Sequence, residues 1–105
     1  MTWRDLARDS VHPLRSLFDA ASRGYSVKLA CRSCRHVAVL DAHALWWHFQ
    51  RHGQQDRLAV VARRCVCSAC RRRGPTLDLV HDAPTSTALP MPPLHRWKAE
   101  LRRHR

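Results

Sequence analysis

Apolar side chains recur at Leu14, Leu17, Phe18 and Ala21, the spacing of one face of a helix. Pro13 suits the first position of that helix, which should run to about Ser22, and Gly24 suits its end. Upstream, Thr2 reads as a cap for an earlier helical start at Trp3, with Asp5 in its first turn. After Gly24 the period drops to two. Tyr25, Val27 and Leu29 then share one face of a strand that runs to Ala30. The β-branched run from Val37 to Leu40 reads as the returning strand of a hairpin. Asp41 should cap a helix through about His52, closed by Gly53, with Leu45 and Phe49 on the inward seam and Ala42 and Trp46 beside them. Asp56 to Arg64 gives a second short helix that turns Leu58, Val61 and Ala62 inward. Thr76 to Val80 alternates again, with Leu77, Leu79 and His81 on one side, as a third strand. From Asp82 to Pro93 four prolines mark an extended linker. Leu94 to His104 is basic and weakly amphipathic, a helix expected only when docked.

This pattern describes one small α+β unit over residues 25–82, with an N-terminal helical segment over 1–24 and a Pro-rich linker and basic tail over 83–105. The chain has 105 residues and is 45% apolar, enough for a core but short enough for an added staple to matter. No stretch approaches the roughly 18 apolar residues of a membrane helix. The N-terminal residues lack an apolar signal core, so a cytoplasmic protein without a membrane partner is expected. There is no paired set of carboxylates, no Ser/His/Asp set and no glycine loop to cradle phosphate, with three glycines in all. Neither an enzyme nor a small-molecule substrate is therefore expected.

The formal net charge is +11, and it is unevenly spread. Residues 23–73 hold eleven Lys and Arg against two acids, and residues 96–105 hold five against one. Such charge draws a polyanion through counterion release. Arg63-Arg64 and Arg71-Arg72-Arg73 bracket one cysteine pair, while Arg32 and Arg35 sit on the other. These seven are the candidate nucleic-acid contacts, since guanidinium groups beside exposed turns can hold phosphates bidentately. Adjacent Trp46 and Trp47 cannot both face the core, so Trp47 is expected outward as a partner-binding residue. Trp97, between Arg96 and Lys98 on a tail with no evident core to join, is expected as a second partner anchor.

Five cysteines, an odd number, point to a metal or redox role before a disulfide framework. Cys31-x2-Cys34 and Cys67-x2-Cys70 each allow a tight turn to aim two sulfurs at one tetrahedral ion. Together they would close a structural four-sulfur zinc site. A second ligand set competes. Cys31-x2-Cys34-x13-His48-x3-His52 nearly matches a two-Cys, two-His finger, with both histidines on one helix face. That set leaves Cys67 and Cys70 unexplained. Cys65 reads as a small buried residue or as a stand-in for Cys67, and His36 as an outer donor or an outward basic group.

The run Cys31-Arg-Ser-Cys34-Arg-His36, then Val39-Leu40-Asp41, Leu45 and Phe49, then Cys67-Ser-Ala-Cys70-Arg, resembles small bacterial zinc-ribbon-like proteins. The resemblance covers roughly residues 25–82. It implies a zinc-ribbon-like core of about three short strands with two inserted helices, and zinc on Cys31, Cys34, Cys67 and Cys70. It implies little about activity. The chain departs from the pattern in Cys65, in Arg71 where glycine often follows the last cysteine, and in the Trp46-Trp47 pair. The function expected from all this is a zinc-stabilised DNA- or RNA-binding protein, a small transcriptional or nucleic-acid-associated regulator. The alternative is a zinc-ribbon adaptor that docks on another protein, such as a component of the transcription machinery, through its N-terminal helix or C-terminal tail.

Overall fold

The helix that carries Leu17, Phe18 and Ala21 starts later than its stripe suggests. In the computed structural model, which describes residues 14–85 and 88–104, helix α1 spans Leu17–Ser22. Leu14 lies ahead of it, and Ser16 is the cap, its hydroxyl accepting from the Asp19 N–H at 3.1 Å. The cause of the late start is long-range. The Leu58 N–H donates to the Arg15 carbonyl at 2.7 Å and the Leu17 N–H to the Asp56 carbonyl at 2.8 Å, an antiparallel bridge that holds Ser16 extended. Pro13, Thr2 and the start at Trp3 lie outside the described residues. Gly24 ends α1 as expected, at φ +78°. Its N–H reaches Ala21 and that of Tyr25 reaches Ala20, which satisfies two carbonyls of the last turn.

Strands β1 (Ser26–Ala30) and β2 (Val37–Asp41) form the hairpin, and β3 (Thr76–Val80) pairs with the other side of β1, all antiparallel in the order β2-β1-β3. Val27 lies opposite Leu40 and Leu79, and Leu29 opposite Ala38 and Leu77, so these six share the face turned to the core. Lys28, Val39 and Asp78 take the opposite face. The outer edge of β2 is covered at Val39 by Thr85, whose hydroxyl and N–H meet the Val39 N–H and carbonyl at 2.9 and 2.8 Å.

Helix α2 (Ala42–Arg51) follows β2 without a loop because Asp41 serves both, its carboxylate accepting from the His43 and Ala44 N–H groups at 2.8 and 3.3 Å. Helix α3 spans Leu58–Arg64, two residues shorter at its start than the sequence suggests. Arg57 is its cap and makes no side-chain cap bond. Asp56, the expected start, serves α1 instead, its carboxylate accepting from the Phe18 N–H at 3.0 Å.

The core gathers Leu17, Phe18, Ala20 and Ala21 of α1, Val27 of β1, Ala42, Leu45, Trp46 and Phe49 of α2, and Val61 of α3. Helix α4 (Leu94–Arg103) packs on the same cluster through Trp97 and Leu101. Leu89 also packs there, while Thr85 lies at the β2 edge. Among the described residues no helix is long and apolar enough to cross a membrane.

Candidate metal centre

Each Cys-x-x-Cys pair forms the same turn. In the first, between β1 and β2, the Cys31 N–H donates to the His36 carbonyl at 2.9 Å and the Arg35 N–H to the Cys31 carbonyl at 3.1 Å. In the second, between α3 and β3, the Cys67 N–H donates to Arg72 at 2.8 Å and the Arg71 N–H to Cys67 at 2.9 Å. Both turns close with arginine in the left-handed region, Arg35 at φ +64° and Arg71 at φ +67°. Glycine suits that backbone better. Arg71→Gly is therefore expected to keep the turn and gain about 0.5–1 kcal/mol, read as a melting temperature raised by a few degrees.

The antiparallel pairing of β1 with β2 and β3 brings the two turns together. The sulfurs of Cys31, Cys34, Cys67 and Cys70 all lie within 4.8 Å of one another. Cys31 Sγ is 3.4 Å from Cys70 Sγ, and Cys34 Sγ is 3.5 Å from Cys67 Sγ. A disulfide needs about 2.05 Å. Four thiolates about 2.3 Å from a tetrahedral ion stand about 3.8 Å apart, and this cluster is of that size. The donor set, four sulfurs with no open position, suits a structural ion.

Electrostatics make the same point. The N–H groups of Cys34 and Ser33 point at Cys31 Sγ, at 3.5 and 3.4 Å, and lower that thiol to about 6. Those of Cys70 and Ala69 lower Cys67. For Cys34 the N–H of His36 also lowers it, but desolvation and the thiols of Cys67, Cys31 and Cys70 outweigh this and push it up to about 12. Four sulfurs this close cannot all ionise unaided, and a bound cation removes the conflict.

Among the described residues this is the group placed to hold a metal ion. It decides against the two-Cys, two-His set. His48 and His52 lie toward the end of α2, rings 4.4 Å apart, with the His52 Nδ1 bonded to the His48 carbonyl at 2.7 Å. His36 reaches across the two turns, its Nε2 3.4 Å from the Ser68 hydroxyl. Cys65 stands outside the cluster. It ends α3, packs on the core, and burial pushes its thiol up to about 11.

The seven arginines singled out above are all exposed, but they do not share one surface. Arg63, Arg64 and Arg73 line one recess with Gln54 and Gln55. Arg32 lines another, between α3 and β3. Arg35, Arg71 and Arg72 sit on the turns themselves. Gln54 and Gln55, which follow the helix-ending Gly53, stand beside Arg73 in that recess, and no local sequence signal ties that loop to Arg73.

Trp47 is the outer tryptophan of its pair, Trp46 being buried. Its ring is half-buried and has two guanidinium groups near it, Arg51 at 5.7 Å and Arg96 at 5.4 Å from its centroid. Trp97, expected on a tail with no core to join, has its ring centroid 5.3 Å from Phe18, 5.1 Å from Trp46 and 4.5 Å from His43. It anchors α4 inside the chain. Comparison with protein families, curated proteins and solved structures finds no match to this chain.

Proposed function

We propose that this chain is a zinc-stabilised nucleic-acid-binding protein, with a zinc-ribbon-like centre and no catalytic role. The observation that carries the reading is the closed four-sulfur cluster flanked by exposed arginines on both of its turns. One ion would set the turns side by side, so that guanidinium groups far apart in sequence stand on one scaffold. Zinc suits the four thiolates because it is redox-inert and accepts tetrahedral sulfur. The surrounding charge suits phosphate because each phosphate neutralised by Arg releases counterions.

Native mass spectrometry of the full chain is expected to find one zinc, absent from Cys34→Ser. Fluorescence anisotropy with unrelated duplex and single-stranded oligonucleotides is expected to show binding that weakens steeply as salt rises. Iron in place of zinc would overturn the metal assignment, and no binding even at low salt would overturn the nucleic-acid assignment. The second reading is the protein adaptor. It draws on Val37 and Val66, exposed at 44% and 46%, which line an apolar recess of about 450 Å³ beside the turns. It predicts no oligonucleotide binding at any salt concentration.

A further inference from the structure

The arginines that line a common wall are three of the seven. Arg63 and Arg64 end α3, and Arg73 follows the second cysteine turn. With Gln54 and Gln55 they line a recess of about 570 Å³. A second recess of about 390 Å³ shares Gln54, Arg64 and Arg73 with the first and adds His48. The shared residues make the two recesses one groove. Its second part is also lined by Leu89 and, deeper, by the buried Leu45 and Phe49. No carboxylate lines either part. Among the described residues none of the three arginines is held in an ion pair.

The backbone beneath these side chains is fixed. The Cys65 N–H caps α3 on the Val61 carbonyl at 3.0 Å, and the Gly74 N–H returns to the Cys65 carbonyl at 3.3 Å. Val66 and Arg73 form an antiparallel bridge. The Gln54 N–H is bonded to the Phe49 carbonyl at 3.0 Å, which holds the loop at the opposite wall. Three separate stretches of chain thus aim donors into one space, and none brings a counter-charge. The position of Arg63 and Arg64 at a helix C-terminus accounts for two cations locally. It does not account for Arg73, which arrives from the far side of the metal turn.

We propose that this groove grips successive phosphates of a nucleic-acid strand, with Arg63, Arg64 and Arg73 as the charged contacts and Gln54, Gln55 and His48 as neutral donors. The choice of a nucleic acid as ligand rests on the function proposed above. Guanidinium forks match phosphate oxygens, and amide donors add contacts without charge. Arg73 stands three residues beyond Cys70, so the groove exists only while the metal turn is closed.

Two variants of the full, metal-bound chain separate this site from the rest of the basic surface. R63Q/R64Q/R73Q removes the groove's charge, and R23Q/R102Q removes charge from exposed positions outside the candidate contacts. With a mixed-sequence oligonucleotide, the groove variant is expected to bind roughly tenfold or more weakly, and its salt slope to flatten by about 2. The control variant should lose much less. In an NMR titration with inorganic pyrophosphate, the amides of residues 54, 55, 63, 64 and 73 should shift first. Thermal melts check the fold, and R73Q alone is the milder variant if the triple one misfolds. If the wild type binds the oligonucleotide and the groove variant binds equally well, the groove is overturned while the nucleic-acid reading stands. If no oligonucleotide binds but pyrophosphate still shifts those amides, the groove stands as a phosphate site and the nucleic-acid reading fails. Neither response overturns both.

Discussion

Removal of the metal by a strong chelator is expected to unfold the chain, not only to loosen its cysteine turns. A structural zinc ion contributes about 10–16 kcal/mol of apparent binding energy in small domains. The net stability of a domain this size is only about 5–15 kcal/mol. The apolar core cannot make up the loss. Its largest fully buried side chains are only Leu17, Val27 and Val61, and three of its ten buried members are alanines: Ala20, Ala21 and Ala42. The turns close the end of the sheet, and without an ion the links between them reduce to thiols in contact and the His36–Ser68 pair. The summed tryptophan emission is the reporter, since Trp46 is 2% exposed and Trp47 and Trp97 pack on the core. It should shift to the red on chelation and return when zinc is restored. Cys34→Ser or Cys67→Ser should behave as the chelated protein does. Cys65→Ser should keep the metal and the fold, because Cys65 lies outside the cluster. A chelated chain whose tryptophan emission and thermal transition are unchanged would refute the dependence of the fold on the ion.

What the sequence made legible was what is decided locally. The α2 helix reads correctly from Asp41 to Gly53 because both its signals, a carboxylate cap and a left-handed glycine, act within one turn of the backbone. The β1–β2 hairpin and β3 read correctly because alternation is a property of the strand itself. The two cysteine turns are legible for the same reason, each being closed by bonds inside six residues. That the pairs meet each other, with His48 and His52 outside, follows from the two matching motifs; the pairing of β1 with β2 and β3 that brings them together is what spacing does not specify. The misplaced helix starts have the same origin. Asp56 reads as the start of the helix that follows it, yet its carboxylate is taken by the Phe18 N–H, 38 residues away. Ser16 is drawn into a bridge with Arg57, which delays α1. Thr85 covers the edge of β2 from within a stretch whose prolines signal only a linker. The candidate nucleic-acid residues were legible as charge, but their division between the groove and other faces follows from where α3 and the second turn come to rest.

Trp97 shows the same limit most sharply, and its replacement carries the second large expected effect. Helix α4 has ten residues, no buried side chain, and a capping residue, Pro93, that makes no side-chain bond. Isolated helices of that length are marginal in water. What holds it is the set of rings around Trp97, those of Phe18, Trp46 and His43, together with Leu101 and the His104 ring stacked 4.0 Å from Phe18. Truncating a fully buried aromatic costs about 3–5 kcal/mol, and a half-buried one correspondingly less, so Trp97→Ala is expected to cost about 2–3 kcal/mol. The contact of Arg96 with the Trp47 ring is worth about 0.5–1 kcal/mol, so Arg96→Ala should loosen α4 far less. Hydrogen exchange separates local from global loss. In Trp97→Ala the amides of residues 94–103 should lose their protection, while those of β1 keep most of theirs, because β1 is paired on both sides and contains none of α4's contacts except through the shared core. Equal loss in both would mean that α4 and the sheet unfold as one unit. Unchanged protection over residues 94–103 would mean that something other than this tryptophan holds the helix in place.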